Sequence, residues 1–307
     1  MNVALAGGSG FIGRHLCERL AARGDRVTVL TRGPLPTGGQ PVGAVTKACW
    51  DPVSGEGLEA LLEQADAVVN FCGESIAGGR WSPERKRLIL DSRLGPTKTL
   101  VAALSRVSRR QRTLVNASAI GFYGDRGDEE LTEQSGPGRG FLADTCQSWE
   151  RAAAAAEQAN ARLVLLRFGV VLAAHGGAME RILTPFKAFV GGPLGSGLQW
   201  FSWLHLRDAA GLVMHALDRA ELSGPVNATA PAPETNETFS RLLAELMGRP
   251  CALRVPELAL RVAMGEMAAI ALDSTRVLPR AAERTGYLFE YPSLRPALEQ
   301  VVSGTLS

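Results

Sequence analysis

The chain begins Met1-Asn2-Val3-Ala4-Leu5-Ala6-Gly7-Gly8-Ser9-Gly10-Phe11-Ile12-Gly13. An apolar run of strand length stops at a glycine cluster, and a helical pattern starts at once. Gly8, Gly10 and Gly13 fit G-x-G-x-x-G; Gly7, Gly10 and Gly13 fit the related G-x-x-G-x-x-G. The order has a physical reason. The strand delivers the chain to a tight turn, backbone N–H groups come close to a pyrophosphate, and the helix aims its positive end at that anion. A side chain at Gly8 or Gly10 is expected to block the approach, and one at Gly13 to push the helix off the strand. Such a triplet carries weight only where a strand precedes it and a helix follows.

Outward from this turn, extended and helical segments alternate. Strands are expected at Arg26–Thr31, Ala48–Trp50, Ala67–Phe71, Arg112–Ala117, Arg162–Phe168 and Val226–Ala228, with helices at Phe11–Ala22, Leu58–Gln64, Pro83–Val107, Asp144–Ala159 and Leu204–Leu217. Ser82 reads as the N-cap of the long helix and Pro83 as its first residue. The strands are continuous apolar runs, as in sheets covered on both faces. The fold class is therefore α/β, a Rossmann doubly wound parallel sheet with right-handed crossovers. A Gly/Pro-rich loop is expected at Gly33–Gly43. The rhythm breaks after Leu172. Residues 1–172, with 204–230 returning to them, are expected to form the dinucleotide domain. Residues 173–203 and 231–307 are expected to form a smaller substrate lobe, with helices at Thr238–Met247 and Glu257–Leu272.

Hydrophobic residues make up 46% and charged residues 21%, and the net charge is +2. This balance asks for neither nucleic acid nor a membrane surface as partner. Arg109, Arg110 and Arg112 read as a solvated loop before a strand. The five cysteines and four histidines are scattered without metal-ligand spacing, so no metal site is expected and the compartment reads as reduced and cytoplasmic. No secretory leader pattern or membrane-length apolar run is present.

The second strand ends Leu30-Thr31-Arg32, without the acidic residue that binds a ribose 2′-hydroxyl. Thr31 and Arg32 offer a hydroxyl and a guanidinium, which suit a 2′-phosphate, so NADP is preferred to NAD. Phe71 and Cys72, at the end of the fourth strand, are expected to pack against adenine and its ribose, with Gly73 and Glu74 just beyond.

G-G-S-G-F-I-G, N-F-C-G-E, D-S-R-L-G-P-T, S-A-I-G-F-Y-G, L-R-F-G-V-V-L and W-L-H-L-R-D together resemble the extended short-chain dehydrogenase/reductases, the NAD-dependent epimerase/dehydratase group. Gly78-Gly79-Arg80-Trp81, Phe141-Leu142-Ala143 with Trp149-Glu150, Gly191 to Gly197 and Gly265-Glu266-Met267-Ala268 resemble its uncharacterised "epimerase family", cell-division-inhibitor-like branch. The resemblance runs from Met1 to about Leu298. It implies bound NADP contacted by Gly7, Gly8, Ser9, Gly10, Phe11, Ile12, Gly13, Thr31, Arg32, Phe71, Cys72, Gly73, Glu74, Arg93, Ala117, Val170 and Val171. It also implies a small-molecule substrate and a homodimer paired through the two long helices.

The resembled family works with a Ser/Thr and a Tyr-x-x-x-Lys, the lysine lowering the tyrosine pKa. Ser118 matches the serine. Counting back from Glu150, the tyrosine and lysine positions fall on Leu142 and Cys146, and none of Tyr123, Tyr287 and Tyr291 has a lysine four residues on. Three readings stay open. Tyr123 supplies the phenol with Ser118 as helper; a carboxylate, Glu74 or Asp144, moves the proton; or the chain is a catalytically silent NADP-binding sensor. The substrate class expected is a small polar carbonyl compound or a nucleotide-sugar. Asp208 is expected to cap the helix that follows it. Trp81, Trp200 and Trp203 are divided between pocket lining and core.

Overall fold

The computed structural model describes residues 1–33, 44–108 and 110–306. Seven strands form one parallel sheet: β1 (Asn2–Ala6), β2 (Arg26–Thr31), β3 (Val45–Cys49), β4 (Ala67–Asn70), β5 (Arg112–Ala119), β6 (Ala161–Phe168) and β7 (Gly224–Ala228). Their spatial order is β3-β2-β1-β4-β5-β6-β7. Chain order thus runs outward in both directions from the β1–β4 pair, which creates a crevice at the carboxyl ends of those strands. The fold is the α/β doubly wound sheet expected from the sequence. Most of the Gly33–Gly43 loop lies outside the described residues, as does Arg109.

The sheet is buried on both faces because successive strand residues point to opposite sides. Val3 and Leu5 of β1, Val27 and Val29 of β2, and Val164 and Leu166 of β6 belong to one core with α1 (Phe11–Arg23) and the helix Leu206–Asp218. Ala4, Leu30, Val68, Leu114 and Leu163 meet α2 (Leu58–Gln64) and α3 (Pro83–Arg106) on the other face. The start of α3 is as read: Ser82 Oγ accepts from the Arg85 N–H at 3.2 Å and Pro83 stands at the first position. α4 is Phe141–Ala154, three residues earlier than expected, and its last part tightens to a 3₁₀ turn over Ala155–Ala159. Beyond β6 come α5 (Met179–Lys187), α6 (Leu206–Asp218), α7 (Asn236–Met247) and α8 (Glu257–Met264). α5, α7 and the final helix Leu294–Leu306 surround a third core of Met179, Leu183, Phe186, Trp203, Phe239, Leu243 and Leu298.

Three expectations need correction. The helix expected over Glu257–Leu272 is broken, because Gly265 takes φ +62° after Met264 and the chain turns there. Arg112 is not part of a solvated loop. It is 3% exposed, and its guanidinium donates to the carbonyls of Leu62, Ala65 and Ser108, tying the end of α2 to β5. Asp208 does not cap α6; His205 Nδ1 does, accepting from the Arg207 N–H at 3.2 Å. Asp208 is wholly buried and accepts instead from the Tyr287 hydroxyl (3.0 Å) and the N–H groups of Glu290 (2.8 Å) and Tyr291 (2.9 Å).

Half-buried Asp273 lies beside Asp125, and burial followed by that like charge pushes its carboxyl up to about 6. A raised carboxyl pKa favours the folded state while the group is protonated. Stability from this source is therefore full below about pH 4 and lost as pH rises through about 6. After allowance for solvent screening the effect is on the order of 1 kcal/mol. Asp273→Asn is expected to raise the unfolding midpoint at neutral pH and to flatten the pH dependence between 4 and 6; chemical denaturation across that range checks both.

Candidate functional site

The glycine turn is crowded for separate reasons at each position. Gly7 takes φ +78°, and a Cβ there would lie 2.8 Å from the Phe71 carbonyl carbon on β4's exit. A Cβ on Gly13 would lie 2.5 Å from the Gly7 oxygen and 2.7 Å from the Gly8 Cα, so only glycine lets α1 pack on the turn. At Gly8 the obstruction differs from the one expected: its Cβ would strike Val29 and Leu5 in the protein's own core. Gly10 is lightly constrained, with the Gly7 oxygen at 3.1 Å. The geometry therefore follows the Gly7–Gly10–Gly13 spacing. Gly10 is also the N-cap of α1, with no side-chain cap and no acid in the first turn. The positive end of α1 is left for an outside anion.

The neighbouring strand ends supply the rest. Thr31 closes β2, its hydroxyl 3.4 Å from the carbonyls of Gly33 and Ala48. Arg32 is exposed, has no ion pair among the described residues, and lies near enough to Cys72 to oppose the effect of burial on that thiol. Burial still pushes the Cys72 thiol up to about 11, so it is an inert wall residue rather than a nucleophile. Asn70 anchors the exit of β4: its amide donates to Thr97 Oγ1 (2.9 Å) and Asn116 Oδ1 (2.7 Å), and its oxygen accepts from the Cys72 N–H. Phe71 stands edge-on to Phe168 at 6.0 Å. Gly73 faces the Arg93 guanidinium, which a Cβ would approach to 3.2 Å.

Arg93 reaches this edge from α3. It donates to the Ile89 carbonyl, lies 5.2 Å over the Trp149 ring, and has no carboxylate partner among the described residues. Burial pulls its pKa down, while Cys146 and Glu74 act in the other direction. Glu74 is held by Arg85 at 3.0 Å, and its N–H by Ser92. Ala117 is buried beneath this edge; Val171 is buried and Val170 half-buried in the strand Val170–Leu172. Ser9 is exposed, Ile12 leans on the core, and the Phe11 ring sits against Gly176 and Gly177. The structure thus gathers the expected dinucleotide contacts along one edge of the sheet.

The expected acid–base residues are not gathered in the same way. Tyr123 is completely buried, and its hydroxyl meets Asn227 Oδ1 (2.7 Å), the Thr132 carbonyl (3.0 Å) and Arg167 Nη1 (3.0 Å). Burial raises its pKa against the opposing pull of Arg167. A sealed, fully bonded phenol is a structural member, which corrects the expectation of an accessible proton donor. Ser118 Oγ donates to Glu150 Oε1 at 2.7 Å, and Glu150 takes a two-pronged bond from Arg167, 2.8 Å on each arm. Leu142 and Cys146 do stand one turn apart on α4: Leu142 against Gly121, and Cys146 beside Ser118 with its thiol pushed up to about 11 by burial. Asp144 is exposed on α4. Trp203 is core and Trp200 bonds Asp128, whereas Trp81 belongs to an apolar cluster beside Leu142.

The Glu150–Arg167 pair was missed in the sequence, although one signal pointed to it: Arg167 interrupts an apolar strand. In the sheet it lies directly opposite Ser118. A charge in such a run needs a buried partner.

A parallel sheet with a bare glycine turn at its switch point defines a nucleotide-binding protein of the doubly wound class. The sequence profile of the NAD dependent epimerase/dehydratase family matches residues 3–228, and that of a domain of unknown function, DUF1731, matches residues 255–301. The chain belongs to the NAD dependent epimerase/dehydratase family. It is 40% identical over 298 residues to the epimerase family protein Mb2239 of Mycobacterium bovis, covering 96% of both chains. It is 36% identical over 304 residues to the epimerase family protein YfhF of Bacillus subtilis, covering 99% of this chain and 98% of the other. Among solved structures it resembles human epimerase family protein SDR39U1 (isoform2), crystallised with NADPH, at a TM-score of 0.88 and 32% identity, with 99% of each chain covered. No helix among the described residues is long and apolar enough to cross a membrane.

Proposed function

We propose that this chain is an NADP-binding oxidoreductase or epimerase-like protein. In this reading residues 1–172 and 204–230 hold the dinucleotide, and 173–203 and 231–307 form the substrate lobe. The bare N-terminus of α1, with Arg32 one strand away and in no ion pair among the described residues, carries the reading. The donors fit the group: first-turn N–H groups suit a diphosphate, and a guanidinium with a neighbouring hydroxyl suits a 2′-phosphate. When bound, the dinucleotide supplies a hydride carrier at its nicotinamide. Arg93, partly desolvated and without an acid partner among the described residues, would hold ribose hydroxyls. Val170 and Val171 form an apolar wall that keeps water away. Ser118 donates a hydrogen bond to Glu150 and keeps its lone pairs to accept from a substrate O–H; rotated away from Glu150, the same hydroxyl donates to a substrate carbonyl.

Arg32→Ala is expected to weaken NADPH binding about tenfold to a hundredfold, the scale of one charged hydrogen-bonded contact. Binding of NADH should stay within about twofold. Calorimetry with both dinucleotides decides, and an equal loss for both removes Arg32 from the phosphate. A second reading, an NADP-binding sensor without turnover, is favoured by Leu142 and Cys146 standing where a phenol and an ammonium are expected. NADPH binding without consumption of NADPH by any of a panel of aldehydes and ketones selects it. Turnover abolished by Ser118→Ala selects the first reading.

A further inference from the structure

A second cation flanks the glycine turn. Arg14 follows Gly13 and closes the first turn of α1, its N–H donating to the Gly10 carbonyl at 3.0 Å. The side chain is exposed, with no hydrogen bond, ion pair or ring contact among the described residues. The other two arginines of α1 are committed. Arg19 donates to the Arg207 carbonyl and pairs with Glu290, and Arg23 pairs with Asp25 and Asp218.

Those contacts fix the flank on which Arg14 lies. Arg207 and Asp218 belong to α6, so Arg19 and Arg23 mark the α6 side of α1. α6 packs over β5 and β6, which lie to one side of β1, whereas β2 lies to the other. At about 100° per residue, Arg14 is about 140° around the helix from Arg19 and about 180° from Arg23. It therefore sits on the β2 flank. Long helical side chains lean back toward the N-terminus of their helix. Arg14 thus extends from α1 toward the glycine turn and the exit of β2, where Arg32 stands.

A phosphate monoester carries a charge of about −1.5 to −2 and three acceptor oxygens. One guanidinium fork takes two of those oxygens. The Thr31 hydroxyl is turned toward the carbonyls of Gly33 and Ala48. Arg32 by itself leaves an oxygen and about half of the charge unmatched; a guanidinium arriving from the helix side matches both. Before a ligand enters, both cations are exposed, and water and salt screen their repulsion.

We propose that Arg14 is a second ligand of the 2′-phosphate, held from the helix side as Arg32 holds it from the strand side, and that the two together set the preference for NADP over NAD. This rests on the NADP-binding reading above and adds the residue that sharpens its choice of dinucleotide. The test uses the full chain and calorimetry, with NADPH titrated directly and NADH by competition against NADPH.

Arg14→Gln is expected to weaken NADPH about fivefold to twentyfold, the low part of the range for a charged hydrogen bond because the site is open to solvent. NADH should stay within about twofold, which also shows that the variant is folded. Arg14→Gln combined with Arg32→Ala should bring NADPH down to the affinity of NADH. Arg26, exposed at the opposite end of β2, is the control for net charge, and Arg26→Gln should leave both affinities within about twofold. An equal loss for NADPH and NADH in Arg14→Gln puts that side chain on the diphosphate, and no loss for either leaves it in solvent. Each result overturns this assignment alone, as does an equal loss in Arg26→Gln. An unaltered protein that takes up no NADPH, or holds NADH as tightly, overturns the cofactor reading and this one with it.

Discussion

Gly13→Ala is expected to weaken NADPH binding about a hundredfold, the scale of a displacement of roughly 1 Å in a positioned site. The added methyl would meet the Gly7 oxygen at 2.5 Å and the Gly8 Cα at 2.7 Å, both of them backbone. No rotamer change relieves such a contact, so α1 must back away from the turn and take its N–H groups with it. Overpacking costs about 1–3 kcal/mol, against at most about 1 kcal/mol gained from alanine's helix propensity. Strain therefore wins and the chain is destabilised as well. Gly24→Ala is the comparison. Gly24 caps the far end of the same helix at φ +91°, and a Cβ there meets nothing within 4 Å. It should lose about 1–2 kcal/mol from left-handed strain and keep its NADPH affinity. Calorimetry and urea unfolding on the two variants separate the effects; equal affinities for both would show that the turn does not carry the diphosphate.

Arg167→Met is expected to destabilise the protein by about 3–5 kcal/mol, the cost of leaving one member of a buried ion pair alone. The side chains of Arg167 and Glu150 are 5% and 10% exposed, and each arm of the pair is 2.8 Å long. The same guanidinium lies 3.5 Å over the Phe122 ring and donates to Tyr123. Its loss would strand the Glu150 carboxylate and remove one of the Tyr123 hydroxyl's bonds. Against a total stability of about 5–15 kcal/mol this is a large fraction. Glu150→Leu combined with Arg167→Met should recover much of the loss, because no buried charge is then left unpaired. Urea unfolding of the single and double variants measures both; a single-variant loss under about 1 kcal/mol would mean that water reaches the pair.

Local rules made the sheet and its dinucleotide edge legible. The β1–α1 turn, the Ser82–Pro83 helix start and the apolar strands each follow from neighbours in sequence. The acid–base residues depend on contacts the linear order hides. Tyr123 reads equally well as a catalytic phenol or a packing residue at a turn until Asn227, 104 residues away, is placed against its hydroxyl. Ser118 reads as a donor until strand register sets it opposite Arg167 and beside Glu150. Asp208 has the sequence position of a helix cap, but the donors that claim it lie 79 to 83 residues downstream. The apolar surroundings of Leu142 were hidden for the same reason, since Trp81, Phe141 and Met264 carry no shared sequence pattern.

One buried carboxylate at the head of α6 rivets the chain's last stretch to the central sheet. Cutting the protein before Tyr287 would strip Asp208 of three donors at once and open a water-accessible seam beneath the lost stretch. The last stretch should accordingly melt together with the body of the molecule in one cooperative step, and a chain ending before Tyr287 should not survive when expressed by itself.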